Sequence, residues 1–493
     1  MKVIIVSALL LYTCMHTAAG QTAAVHISID PEVTYQTIEN FGASDAWSAQ
    51  FVGQWPEEKK NRMADWLFST DTTAAGQPKG IGLSLWRYNI GAGSAEQGES
   101  SGIKDEWHRT NSWQARSGQL WFLQAAKERK VKQFLAFLNS PPVNLTLNGR
   151  AFADKGISNI SPDKYDAFAT YIADAIEGLH KTTGARFDFI SPVNEPQWDW
   201  SDNKQEGCPY NNDQISALTR SLSRTLTARK LSTKIVIGEA GQLNYLFDGR
   251  DKPAKGRQIT AFFDSSSPDY LGNLPNVYHN ISGHSYFTTS PRNVAVLVRE
   301  DVAKHVNQVN GLGFWQSEYC ILGDNAGEIN GEKRDYGMDA ALYLARVIHD
   351  DLTIANAAAW QYWLAISPYD YKDGLIYIDK NKQDGQFRDS KMLWALGNYS
   401  RFVRPGAKRI RADIQGDSTL LVSAYKNADR TISVVIVNSA NDNKHISLDR
   451  KKGQFRKLRS YVTSEADNLH PLAVNNSLTI PARAVVTVTE SIN

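Results

Sequence analysis

Two glutamates stand at the ends of short apolar runs that read as strands. One closes Ile190-Ser191-Pro192-Val193-Asn194-Glu195 and is followed by Pro196. The other closes Gly313-Phe314-Trp315-Gln316-Ser317-Glu318 and is followed by Tyr319. Pro196 cannot extend a strand ladder and fixes the turn that carries Glu195. Alone, either glutamate reads as a loop residue or as one half of a structural ion pair. Two at matching strand ends can face each other, and such a pair is what glycoside hydrolysis requires. One carboxyl protonates the departing oxygen, and the other attacks the anomeric carbon or activates water. Retention needs carboxyl groups about 5–5.5 Å apart and inversion roughly 6.5–9.5 Å; spacing along the chain does not decide between them. The acid must stay protonated near neutral pH, which a neighbouring carboxylate favours.

The elements that position these groups alternate. Candidate strands are Thr37–Ala43, Gly82–Tyr88, Gln133–Asn139, Asp188–Asn194, Lys234–Glu239, Ile281–Tyr286, Gly313–Glu318 and Ala357–Trp363. Helical spacing marks Pro162–His180, Gln214–Arg229, Asn293–Val309, Tyr336–Asp350 and Ser390–Val403. Eight alternations predict an α/β fold, a (β/α)8 TIM barrel, whose catalytic face is the C-terminal mouth of the strands. A doubly wound open sheet is the rival, but no Gly-rich phosphate loop follows the first strand. After Arg404-Pro405-Gly406 the pattern changes to short alternating segments: Leu420–Tyr425, Thr431–Val437, His445–Leu448, Lys457–Thr463 and Ala484–Thr489. The division expected is a leader at 1–20, an N-terminal strand segment at 21–36, a barrel at 37–403 and a β domain at 404–493. Ala24–Ile29 alternates likewise and adds a strand to that β domain.

A formal net charge of +2 gives no reason to invoke nucleic acid or a membrane surface. The 13 Trp and 20 Tyr, against 5 Met, mostly serve cores, yet flat rings also suit the C–H faces of sugars. Lys2, the apolar run Val3–Tyr12 and the small residues Ala18 and Gly20 predict export with cleavage before Gln21, to the periplasm or outside the cell. Lipid attachment at Cys14 is the less favoured route. That leaves Cys208 and Cys320, expected as free, buried thiols rather than a disulfide framework. There is no His-Glu-x-x-His, no Cys/His cluster with ligand spacing, no EF-hand loop and no Gly-x-Ser-x-Gly elbow, so no metal or organic cofactor is expected.

The two glutamate motifs, together with Phe41-Gly42-Ala43-Ser44-Asp45 and Leu85-Trp86-Arg87-Tyr88-Asn89, resemble glycoside hydrolase family 30 over nearly the whole mature chain. The resemblance implies a barrel with a side β-sandwich built from the N-terminal strand and the C-terminal segment. It implies retention of configuration, with Glu195 as acid/base, Glu318 as nucleophile and Asn194 on the sugar 2-OH. Asn194-Glu195-Pro196-Gln197-Trp198-Asp199-Trp200, then Gln205-Glu206-Gly207-Cys208, and Asn139-Ser140-Pro141-Pro142 are similar to the endo-β-1,6-galactanase branch. That branch cuts galactan side chains of type II arabinogalactan. One departure is that Val143-Asn144 follows Pro142 where aromatic residues of a sugar platform are expected.

A supporting set is expected around the pair. Arg87 either pairs with a barrel carboxylate or touches sugar. Tyr286 is placed to hydrogen-bond Glu318, and His284 to hydrogen-bond substrate, with a satisfied core histidine as its rival. Trp360 is favoured over Trp363 for stacking under the sugar. Asp45, with helix capping as its alternative, and Trp47 reach from the first strand; Asn139, Trp198 and Glu206 reach from the third and fourth. The partner expected is a polysaccharide or oligosaccharide. The alternatives are another retaining hydrolase of the family (a β-1,6-glucanase, a xylanase or a β-glucosidase-like enzyme) or a non-catalytic polysaccharide-binding barrel.

Overall fold

The computed structural model describes residues 25–101, 103, 117–417, 419–474 and 478–491. The expected leader at 1–20, with Cys14, lies outside the described residues. Strand β1 (Val25–Thr37) is followed by eight strands, each a short run buried on both faces. They are β2 (Asn40–Ser44), β3 (Leu85–Asn89), β4 (Gln133–Phe137), β5 (Phe189–Ser191), β6 (Lys234–Ala240), β7 (Val277–His284), β8 (Gly313–Tyr319) and β9 (Ala359–Ser367). Runs of this kind suit a parallel sheet covered on its outer face by helices. Each pairs in parallel with the next, and β9 pairs with both β8 and β2, which closes the barrel. Leu85, Leu135, Phe137, Phe189, Val236 and Trp315 form a core of their own within the barrel. A larger core joins strands to helices such as Tyr165–Thr183 and Met338–Thr353. All eight expected strands are present, with ends moved by a few residues. The last one outruns the barrel, and β10 (Gly374–Ile378) and β11 (Phe387–Asp389) extend the sheet beyond it.

The C-terminal segment forms the sandwich from β12 (Lys408–Gln415), β13 (Leu421–Lys426), β14 (Ile432–Asn438), β15 (Lys444–Arg450), β16 (Leu458–Thr463), β17 (His470–Leu472), β18 (Leu478–Ile480) and β19 (Ala484–Glu490). β1 lies within this sheet, antiparallel to β12 and parallel to β15. Period-two alternation divides β14 between two cores. Val434 and Ile436 face the sandwich interior with Ile27, Ile29, Val486 and Val488, while Val435 and Val437 join the barrel core.

The helix Lys391–Ser400 fills the seam between the domains. Fully buried Asn398 donates through Nδ2 to the Tyr461 carbonyl (3.2 Å) and to Thr487 Oγ1 (3.0 Å). Asn398→Ala removes both bonds, at an expected cost of about 1–3 kcal/mol. Urea denaturation of the full chain reads this as a lower midpoint; an unchanged midpoint would show that the seam bonds add nothing.

Candidate active site

The C-terminal ends of β5 to β8 converge on one buried cluster. Regular pairing breaks there: the register slips between Ile237 and Ala240 of β6, at Gly283/His284 of β7, and again before Tyr319 of β8. Such irregularities bend a strand and re-aim its last side chains. Gly238 makes one of these bends possible. Its φ of 106° belongs to glycine, and a Cβ there would lie 2.5 Å from the Ser282 carbonyl oxygen. Next to it, Glu239 takes a left-handed φ of 47°, as Glu195 does at 42°. That conformation costs a non-glycine residue about 1–2 kcal/mol. At Glu195 it is held by hydrogen bonds: its N–H donates to the Glu239 carbonyl (2.9 Å) and its carbonyl accepts from Trp200 Nε1 (3.0 Å).

His284 lies at the centre, fully buried. Its Nδ1 contacts Glu195 Oε1 (2.9 Å) and its Nε2 contacts Glu239 Oε2 (2.8 Å); Nδ1 is also 3.7 Å from Glu318 Oε1. Arg87, buried against the Phe137 ring, pairs with Glu318 Oε2, lies 3.6 Å from Glu239 Oε2 and donates to Asn194 Oδ1 at 3.3 Å. Tyr286 donates to Glu318 Oε1 (3.1 Å) and Ser317 Oγ to Glu239 Oε2 (2.9 Å). Burial alone would lower the His284 pKa, but the charge of Glu318 and the bonds to Glu195 and Glu239 raise it to about 10. The ring is therefore an imidazolium with both nitrogens donating. Burial also acts against an ionised Glu239, yet the His284 bond, the Arg87 charge and Ser317 hold it below the usual carboxylate range. Glu195 moves the opposite way: burial pushes it up, the His284 bond opposes, and the charge of Glu318 adds to the rise. Tyr286 is pushed well above the ordinary phenol range, first by burial, and stays a donor. Glu195 is thus the carboxyl of the two whose protonated form the surroundings favour, while Glu318 is held by Arg87 and Tyr286. Glu195, His284 and Glu318 each bring one polar atom within 4.8 Å of the others.

A cleft of about 530 Å³ opens above the cluster. Of the expected residues, Glu195, Glu318, Asn194, Asn139, Trp47, Trp198 and Tyr286 line it. Among the described residues nothing accepts from the Asn194 amide nitrogen, so that donor is free for substrate. Five expected substrate contacts are corrected, because their side chains are spent beneath the cleft or away from it. Arg87 and His284 serve the carboxylates. Asp45 accepts from the Asn89 N–H (2.7 Å) and Gln119 Nε2 (3.1 Å). Glu206 accepts from the N–H groups of Ala92 (2.9 Å) and Ser94 (3.3 Å). Trp360 is fully buried and donates to Asp351 on the surrounding helix layer (2.9 Å). On β9 the residue that lines the cleft is Trp363, edge-on to Trp47 with ring centroids 5.4 Å apart. The sequence reading also missed Trp200, Gln205, Gln242 and Phe287 on the cleft wall, and Glu239 beneath it. Glu239 had a signal, since it ends the fifth candidate strand as Glu195 and Glu318 end theirs. The exposed Phe287 ring, at φ 56°, packs edge-on to Trp198 at 6.1 Å on the cleft wall, which neither Val143 nor Asn144 lines. Cys208 and Cys320 are free and buried.

Residues 24–377 match the family model of O-glycosyl hydrolase family 30, and residues 406–488 match that family's β-sandwich domain. An endo-β-1,6-galactanase of Hypocrea rufa is 24% identical over 405 residues, 77% of this chain and 75% of the relative. The glucuronoxylanase XynC of Bacillus subtilis (strain 168) is 22% identical over 71% of each chain. A crystal structure of a conserved exported protein from Bacteroides fragilis superposes with a TM-score of 0.85 at 32% identity, covering 94% of this chain and 99% of that one.

Glu239→Gln keeps the shape but removes the charge that holds His284 and Arg87. The expected result is a kcat lowered about tenfold or more, which corresponds to about 1.4 kcal/mol at the transition state, in a protein with unchanged circular dichroism. Wild-type kcat would show that Glu239 plays no part in setting the charge of the site.

Proposed function

The chain belongs to glycoside hydrolase family 30, and from that premise we propose that it is a retaining, endo-acting hydrolase of β-1,6-galactan side chains of type II arabinogalactan. The observation that carries the mechanistic half is the approach of a Glu195 oxygen and a Glu318 oxygen to within 4.8 Å. An approach this close is in keeping with direct attack by one carboxylate, as retention requires. Glu318 attacks the anomeric carbon while Glu195 gives its proton to the departing oxygen, and a glycosyl ester forms on Glu318. The ester carries no charge, so the contribution of Glu318 to the raised pKa of Glu195 is removed, while that of burial remains. Glu195 then takes a proton from the incoming water, which hydrolyses the ester.

The substrate half is supported by the galactanase relative and by the Asn194–Trp200 and Asn139–Pro142 motifs. Trp198, Trp200 and Phe287 line the cleft with apolar rings of the kind that pack against the C–H faces of hexoses. The glucuronoxylanase relative supports xylan as the second reading. Export to the periplasm or beyond is part of the proposal. It rests on the leader pattern and on the exported relative.

Products from de-arabinosylated type II arabinogalactan, β-1,6-glucan and glucuronoxylan test the substrate. A ladder of β-1,6-galacto-oligosaccharides from the first alone is expected; activity confined to either other polymer would sink the galactan reading. Proton NMR of fresh product should show the β anomer first. Glu318→Gln should abolish turnover in a folded protein. Glu195→Ala should harm polysaccharide cleavage far more than cleavage of an activated aryl glycoside, whose leaving group needs no proton. Because its raised pKa keeps Glu195 protonated to higher pH, wild-type kcat/KM on polysaccharide should fall only as pH rises through that value. The variant acting on the aryl glycoside should lack that alkaline limb.

A further inference from the structure

A second cleft, of about 590 Å³, lies where the barrel meets the sandwich. Leu83 and Lys132 on its wall lie just before the starts of β3 and β4, whereas Glu195 and Glu318 stand at the far ends of their strands. The length of the barrel therefore separates this cleft from the catalytic one. Its wall carries six cationic side chains, and Arg129 is the one taken by a carboxylate, Asp65 at 2.7 Å. Among the described residues, Lys130, Lys132, Arg401, Arg404 and Arg459 have no carboxylate within ion-pair distance. The wall's two acids, fewer than its cations, have their oxygens engaged elsewhere. Asp429 accepts from the N–H and Oγ1 of Thr431, and Glu490 from the N–H groups of Ile432 and Arg456.

Arg401 and Arg404 are partly buried and face one another's charge. Arg401 spends its terminal nitrogens on the carbonyls of Ser69, Gly80, Thr70 and Asp71, and Arg404 Nη1 donates to those of Gly82 and Ser400. Carbonyl dipoles solvate a guanidinium without cancelling its charge. Burial lowers both pKa values to about 10, and at Arg404 the charge of Arg401 adds to the effect. Arg404 Nε and Nη2 meet no protein acceptor among the described residues. Beside them Phe402 and Tyr461 stack, centroids 4.7 Å apart and planes 28° from parallel, and both line the cleft.

We propose that this cleft is a second binding site, for a carboxylated glycan chain whose uronate groups meet Arg404, Lys130, Lys132 and Arg459 and whose sugar faces lie against Phe402. A cluster of cations in one cleft favours an anionic ligand, and the aromatic floor suits one that also presents apolar C–H faces. A net charge of only +2 for the whole chain fits a local site rather than a track for nucleic acid. The proposal rests on the chain's being a carbohydrate-active enzyme and not on which linkage it cuts.

Lys130→Glu/Arg459→Glu tests it, since both residues are exposed and remote from the cluster. Calorimetry on the full chain would use a galacturonic acid hexamer, a neutral β-1,6-galactan hexamer, inorganic phosphate and a single-stranded oligonucleotide. The uronate hexamer should bind wild type, weaken with added salt, and bind the double variant at least about tenfold less tightly. Cleavage of an aryl galactoside should be the same in both. Equal uronate binding by the variant, or no binding by wild type, overturns the site. Tighter binding of the oligonucleotide, or displacement of the hexamer by equimolar phosphate, overturns the assignment to a glycan.

Discussion

Burying three carboxyl groups at one end of a barrel is unfavourable unless positive charge is buried with them. Here His284 and Arg87 supply it. Three carboxyl groups share the site with the cations of His284 and Arg87, so a single proton among the carboxyls leaves the cluster neutral. That balance explains why the pKa values of Glu195 and Glu239 move in opposite directions within one hydrogen-bonded chain. It also makes the members interdependent. Stripping one partner from such a buried set leaves an uncompensated charge, a loss of about 3–5 kcal/mol.

The barrel fixes these distances because each member comes from a different strand end. Arg87 is on β3, Glu239 on β6, His284 on β7 and Glu318 on β8, and Glu195 follows β5. A regular sheet would point strand-end residues alternately inward and outward. The register slips on β6, β7 and β8 change that alternation at the level of the cluster. The close-packed aromatic interior below resists any relaxation of the bends, so left-handed glutamates at 195 and 239 persist.

Much of this was legible in the chain. The eight strands announce themselves as apolar runs bounded by turns, and the paired glutamates of the cleft by their places at strand ends. Other features were hidden for definable reasons. Trp360 and Trp363 are three residues apart, so on an alternating strand they face opposite sides. Periodicity does not say which side is the mouth until the register with β2 and β8 is known. His284 and Arg87 are polar residues near an active site, a description that fits substrate ligands and carboxylate partners alike. Only the three-dimensional pairing separates the two roles. Asp45 and Glu206 look like sugar contacts by residue type, yet loop N–H groups from elsewhere in the chain claim them. β12 was missed because Lys408-Arg409-Ile410-Arg411-Ala412-Asp413 reads as a charged loop, though it is the strand that holds β1.

The position of β1 bears on the order in which the molecule can be made. Its two neighbours, β12 and β15, begin at Lys408 and Lys444, several hundred residues further along the chain. During synthesis both hydrogen-bonding edges of β1 therefore stay open until residue 408 and then 444 have emerged, although the barrel strand β2 begins only three residues after β1 ends. The sandwich is completed last, by closing a loop that contains the entire barrel, and that closure ties the two ends of the chain into one sheet. A polypeptide interrupted anywhere before residue 408 leaves the open edges of β1 attached to the start of a barrel, available for pairing with other chains.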